Sequence, residues 1–181
     1  MDPLTHEEWR ERALAEAYWR KRWAYSSRAV LLTLRYMPRD GRGILEVGSL
    51  GSPLFKGSDS LDYLEGLSQS QAARLPKPTF DLDLRTPDPW PIPDKAYGAL
   101  IALQVWEHLE GSQGRAFLEA RRVSEVVILS IPYKWPTDKP PGHKGLHEGT
   151  LLQWTGLTPT HLEVVDGIFL LAVYTPGSKP A

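Results

Sequence analysis

The chain of 181 residues contains no cysteine. Disulfides, thiolate zinc sites and cysteine nucleophiles are therefore excluded. Asparagine is also absent and methionine occurs only 2 times, while proline occurs 16 times and arginine outnumbers lysine. Avoidance of thermolabile residues and proline-stiffened loops suits a thermophile, although GC-rich codon bias leaves the same mark. No apolar run reaches membrane-spanning length, and no apolar segment follows a basic start as in a secretory signal. A soluble cytoplasmic protein with no membrane partner is the expectation. A strong charge is lacking too: the formal net charge is -1 and the sequence pI about 6.5. No global basic field announces a nucleic-acid or anionic-membrane partner. Neither G-x-G-x-x-G nor G-x-x-x-x-G-K-[ST] occurs, so a pyrophosphate ligand is not expected.

The length fits one domain with a substantial core. "THEE" opens the chain with a capping box, Thr5 as N-cap and Glu8 three residues on. The helix after it carries Trp9, Ala13 and Ala17 at four-residue steps, and "RAVLLTLRYM" reads as a further helix stopped by Pro38. Strands are expected near Gly43–Val47, Ser60–Leu64, Thr79–Leu82, Tyr97–Ala102 and Glu125–Ile131. A helix capped by Ser112 lies before the last of these, and "EGTLLQWTG" is a shorter helix ending at Gly156. The tail holds two apolar runs around Asp166-Gly167, a two-residue hairpin signal. Alternating strands and helices give an α/β fold with a mostly parallel sheet and an antiparallel terminal hairpin. The expected division is an N-terminal helical extension or lid, residues 1–38, and an α/β domain, 39–181.

"ILEVGSLGS" joins a short apolar run to an acid and a loop of small residues. In an open α/β sheet such a loop lies where ligands bind. Together with "DLRTPDPWPIPD", "ALIALQVWEHLEG" and "VVILSIPY" it resembles, in order and spacing, the class I S-adenosylmethionine-dependent methyltransferases. The resemblance covers roughly residues 42–135, and its most specific element is Trp-Glu-His-Leu after a Pro-x-Pro-Asp segment. It implies a seven-stranded Rossmann-like sheet in the order 3-2-1-4-5-7-6, with S-adenosylmethionine as cofactor and S-adenosylhomocysteine as product. Glu46 and Gly48, with Ser49 and Gly51 beside them, would border the methionine part. Asp62 or Glu65 would accept hydrogen bonds from the ribose hydroxyls. Asp83 and Leu84 match the position near the adenine, and Gln104 to His108 would close over the sulfonium.

The sequence also departs from the family pattern. Leu50 stands where a second glycine is usual, with Gly51 one residue later. The connection from strand 1 to strand 2 has only about a dozen residues, near the minimum for a parallel crossover, and "PLFKG" has room for barely one helical turn. Tyr97-Gly98 replaces the usual Phe-Asp, and the proline-glycine-glycine turn before strand 5 is missing.

Each candidate has a plainer alternative. Glu46 is either a cofactor-side acid or a strand-end acid binding loop amides. Glu107 either complements a helix N-terminus or serves the site, and His108 is either packed or catalytic. The loop from Tyr133 to Glu148 is long and proline-stiffened; Tyr133 and Trp135 are candidates for acceptor binding, with His147 or His143 as a base. Pro141, Gly142 and Gly145 argue against a helix that would pair the two histidines, so no metal is expected. "YWRKRWAY" interleaves aromatic and basic residues; Trp19 and Trp23 read as core or lid, or as a route to a homodimer. The function that follows is methyl transfer to a small-molecule acceptor. A non-catalytic binding or scaffold protein and an RNA methyltransferase are the alternatives.

Overall fold

The computed structural model of the protein describes residues 2–5, 7–8, 11, 17–137 and 142–181, with 17–21 as backbone only. A seven-stranded sheet organises them. Its strands are β1 (Gly43–Val47), β2 (Asp59–Asp62), β3 (Phe80–Asp81), β4 (Tyr97–Leu103), β5 (Ser124–Pro132), β7 (His161–Val165) and β8 (Phe169–Tyr174), in the order β3-β2-β1-β4-β5-β8-β7. The first five run parallel, and β8 and β7 return antiparallel. A separate pair joins β6 (Leu157–Thr158) to β9 (Lys179–Pro180). The order expected from the resemblance is thus the one observed, with the terminal hairpin as its last two strands.

The central strands are apolar at nearly every position because both faces of the sheet are covered. Side chains alternate between two cores. Leu45, Leu100, Ala102, Val127, Leu129, Leu170 and Ala172 belong to one; Ile44, Ala99, Ile101, Val126, Ile128, Leu171 and Val173 belong to the other. The first core is closed by α3 (Gln113–Val123), which contributes Ala116, Phe117, Ala120 and Val123, and by Trp90 and Trp106. The second is closed by α1 (Ala17–Tyr36) through Tyr25, Ala29 and Leu32, whose spacing places them on one helix face. Residues 25–37, expected within an extension, are therefore a layer of the core. Trp23 packs against that core as well. The short α2 (Gln69–Ala72) and α4 (Glu148–Thr155) complete the helices, and Gly156 ends α4 in the left-handed conformation, as its sequence position suggested.

Local expectations are met unevenly. The capping box at Thr5 forms: Thr5 N donates to Glu8 Oε2 at 2.7 Å and Glu8 N to Thr5 Oγ1 at 3.2 Å. Trp9 and Ala13 lie outside the described residues, as do the side chains of Ala17, Tyr18 and Trp19. Ser112 precedes α3 without a side-chain cap; Gln113 instead accepts from Gly111 N at 2.9 Å. The terminal hairpin has three loop residues rather than two. Asp166 and Gly167 take positive φ (51 and 70), Ile168 N bonds Val165 O, and pairing resumes at Val165–Phe169.

The β1–β2 crossover holds no helix. Its place is taken by a buried apolar loop, Leu54-Phe55, whose amides have no helical partners. The carboxylate of Glu46 supplies them: Oε2 accepts from Leu54 N at 2.7 Å, and Oε1 from Phe55 N at 2.9 Å and Ser58 Oγ at 2.7 Å. Ser52 and Pro53 thus begin no helix, because the loop amides turn inward to an acid. On its outer side the loop pairs with the start of the chain, Leu4 N to Leu54 O and Lys56 N to Asp2 O, both 2.9 Å.

Glu46→Gln replaces one acceptor oxygen with an amide and leaves a buried N–H without its partner. Urea unfolding should show a loss of about 1–3 kcal/mol, with Glu46→Ala losing more.

Candidate functional site

In this topology β1 continues to β2 on one side and pairs with β4 on the other, so the carboxyl edge between them is the switch point where ligands enter α/β sheets. A cleft of about 490 Å³ opens there, within the size range of small-molecule sites. The ends of four strands build it: Val47 and Gly48 after β1, Asp62 and Tyr63 after β2, Leu82 to Arg85 after β3, and Gln104, Val105 and His108 after β4. A second, narrow cavity of about 40 Å³ shares Val47 and Gly48 and is lined also by Arg22, Ser26, Glu46 and Ser49. Gly48 lies between the two spaces.

Gly48 is a glycine for two reasons. Its φ is 70, and a β-carbon would fall 2.5 Å from Val105 Cγ2. Leu50 also takes positive φ, 46, yet its side chain is 41 % exposed and lines the cleft without closing it. Its amide donates to Asp62 Oδ1 at 3.1 Å. The loop after β1 is therefore held from two sides, by Glu46 below and Asp62 beside it. Gly51 packs against Pro76 and lines neither cavity.

Of the two acids considered after β2, the structure brings Asp62 to the cleft. It is buried at the strand end, where burial pushes its carboxyl above the ordinary value while the Leu50 N–H pulls it down. Glu65 is exposed and lines neither cavity. Asp83 and Leu84 both line the cleft. The Arg85 side chain closes on Asp83 through Nε at 2.9 Å and Nη2 at 2.9 Å, holding that carboxyl below the usual range. Gln104, at φ 60, is fixed by Ser130: its amide N donates to Ser130 O at 2.9 Å and its Nε2 to Ser130 Oγ at 3.0 Å.

Glu46 reaches only the small cavity, and its carboxylate is occupied by the loop amides and Ser58. The plainer of its two readings describes what the structure shows.

The histidines separate. His147 caps α4: its Nδ1 accepts from Gly149 N at 3.0 Å and its N donates to Thr150 Oγ1 at 3.2 Å. It is exposed and lines neither cavity, and the role its geometry shows is that of a helix cap. Tyr133 donates to Glu148 Oε1 at 2.8 Å and lines neither cavity. Trp135 likewise stays out of the cleft, its ring edge-on to His143 at 6.1 Å. The two aromatics shape the β5 loop rather than face the cleft.

His143 instead meets His108. Their Nε2 atoms lie 3.5 Å apart, and Glu107 Oε1 is 3.7 Å from His143 Nε2 and 4.0 Å from His108 Nε2. The Glu107 side chain has no exposed surface, and no other described residue hydrogen-bonds to either oxygen. Burial pushes its carboxyl up to about 8, with its own backbone amide and the Arg22 charge pulling the other way. Burial also lowers His108. Because His108 lines the cleft, this cluster borders it.

The sequence reading missed Leu50, Tyr63 and Arg85 as lining residues. Asp-x-Arg at 83–85 was a local signal for the clamp on Asp83; nothing local links Glu107 to a histidine 36 residues later.

Solved structures with this architecture identify the fold. A SAM-dependent methyltransferase from Aquifex aeolicus aligns over 80 % of this chain and 87 % of its own, with 13 % identity and a TM-score of 0.54. A SAM-dependent methyltransferase from Thermotoga maritima, described as a possible histamine N-methyltransferase, aligns over 86 % and 93 %, with 15 % identity and a TM-score of 0.53. The N-terminal domain of EvdMO1 with SAH bound aligns over 83 % and 80 %, with 15 % identity and a TM-score of 0.50.

The fold is that of the class I methyltransferases.

No protein-family profile matches the sequence, and no curated protein does. Within this methyltransferase fold the cleft lies at the usual switch point. No described helix is long and apolar enough to cross a membrane.

Gly48→Ala places a methyl group against Val105 and forces positive φ on a residue with a side chain. Thermal or urea unfolding should show a loss of about 1–3 kcal/mol, whereas Gly57→Ala, which meets nothing within 4 Å, should lose only the φ component.

Proposed function

We propose that the protein binds S-adenosylmethionine in the large cleft and transfers its methyl group to a small-molecule acceptor. The observation that carries this reading is the cleft itself, built by four parallel strand ends with an acid at the β2 end and another after β3. A carboxylate at the first position suits a ribose diol, and the apolar walls from Leu50, Leu61, Leu82, Leu84 and Val105 suit a flat base. Asp62 is the ribose candidate, and Asp83 with Leu84 the adenine candidates. Gly48 and Ser49 lead toward the small cavity, where Arg22 is the cation nearest in kind to an amino-acid carboxylate. Among the described residues of the segment 1–38 expected as a lid, Arg22, Tyr25 and Ser26 of α1 stand in the wall of that cavity.

The cofactor would supply an electrophilic methyl on a sulfonium. What the chain has to do is position and exclude water. Gln104, locked by Ser130 at the β4 end, and Val105 shape the side of the cleft from which an acceptor would approach. His108 is the one of the three histidine candidates in the cleft wall, where burial lowers its pKa and so favours the neutral imidazole over the cation. The near-neutral formal charge favours a small acceptor over RNA.

Calorimetric titration with S-adenosylhomocysteine should show saturable binding of one molecule per chain. Asp62→Asn keeps an acceptor for the Leu50 amide but loses the charge, and should weaken binding about tenfold. Absence of heat with both S-adenosylhomocysteine and S-adenosylmethionine would overturn the reading. Binding without turnover on any acceptor would favour a non-catalytic binding protein.

A further inference from the structure

We propose that Glu107, His108 and His143 form a binding site for one divalent transition-metal ion of the zinc type. The three donor atoms make a nearly equilateral triangle with sides of 3.5, 3.7 and 4.0 Å. The point equidistant from them lies about 2.2 Å from each, close to the roughly 2.0–2.2 Å of zinc–imidazole and zinc–carboxylate bonds. The spacing of the donor atoms therefore already matches an ion near the centre. Two imidazoles and one carboxylate are a donor set that zinc and its neighbours favour, and that magnesium and calcium do not.

A second observation points to a ligand at the same place. Glu107 is a carboxylic acid with no exposed side-chain surface, and no other described residue hydrogen-bonds to either of its oxygens. A buried acid left in that state costs free energy that a bound cation offsets. The backbone is shaped to keep the cluster together. Gly142, at φ 86, crosses so close to the Glu107 carbonyl that a β-carbon would fall 2.6 Å from its oxygen. That approach brings the next residue, His143, down onto the turn Trp106–His108. Loop 133–148 is braced on the far side by Lys134 N to Leu146 O at 2.7 Å and Gly145 N to Trp135 O at 3.0 Å.

Three ligands leave coordination positions open, as in catalytic rather than structural sites. The His108 side chain is 47 % exposed and lines the large cleft, so the open side faces that cleft. An ion here would border the space proposed for the acceptor. That placement rests on the cofactor reading; the binding of the ion does not.

The test uses the full chain, stripped with a chelator and desalted. Co²⁺ is titrated with visible absorption as readout, and Zn²⁺ by calorimetry. One ion per chain is expected, with the intense d–d bands of a low-coordinate N/O site. Glu107→Gln and His143→Ala should each weaken binding at least about tenfold, while His147→Ala and His161→Ala leave it unchanged. Glu107→Gln keeps the shape of the side chain and removes the carboxylate that would ligate the ion; a circular dichroism melt of each variant checks that it folds. Absence of saturable Co²⁺ and Zn²⁺ binding by the wild-type chain overturns the proposal, leaving a histidine pair only. Binding that survives both ligand substitutions, or that is lost with His147 or His161, also overturns it, as an adventitious ion only. Titration of the same samples with S-adenosylhomocysteine reads the cofactor site separately, so failure of one reading is not mistaken for failure of the other.

Discussion

A single buried carboxylate makes the β1–β2 connection workable. Parallel strands ordinarily need a helix between them, whose own hydrogen bonds satisfy the backbone as it crosses the sheet face. Here the crossover is too short for one, and Leu54 and Phe55 are buried with their amides exposed to the interior. Glu46 takes both amides and the Ser58 hydroxyl. Unmet, those donors would each cost about 1–3 kcal/mol. With them met, the loop lies flat, α1 can cover the same face, and Gly48 emerges at the height where the two cavities meet. The architecture of the cleft thus follows from how an acid substitutes for a helix.

The connection between β3 and β4 is held from the opposite layer by a similar logic of charge on backbone. Arg122 of α3 donates to Trp90 O at 3.0 Å and Ile92 O at 2.8 Å, while Glu119 accepts from Trp90 N at 2.8 Å. Arg115 donates to Leu84 O at 2.8 Å. The segment Pro-x-Pro-Asp is irregular, so its backbone groups have no ladder, and charged side chains of one helix serve as that ladder. Both walls of the cleft are therefore set in part by side chains that do not line it, Glu46 on one side and Arg115, Glu119 and Arg122 on the other.

The sheet was legible in the sequence because its strands are buried on both faces and read as short unbroken apolar runs: Ile44, Leu45 and Val47, or Val126 to Ile131. Strand order followed from the motif resemblance, not from hydropathy. The edges were less clear. β2 ends at Asp62 and the edge strand β3 spans only Phe80–Asp81, because past Asp62 the Leu64 amide bonds the Asp81 side chain instead of a ladder carbonyl. In the site, Asp62, Asp83, Leu84, Gln104 and His108 were placed by motif position and do meet in the cleft. The roles of Glu46 and His147 were decided by partners that residue types do not reveal: an amide pair eight and nine residues on, and a helix start that puts His147 at the N-cap. The meeting of His143 with Glu107 depends on the path of a loop that only its glycine hints at.

Leu50 carries a consequence of its own. A leucine in the left-handed region costs on the order of 1 kcal/mol relative to glycine, and the chain tolerates this because Asp62 pins the amide. In return the cleft gains a hydrocarbon sill, 41 % exposed. An apolar surface laid against that sill would cover hydrocarbon that water now touches, so the strain in one residue is exchanged for a wall that rewards burial.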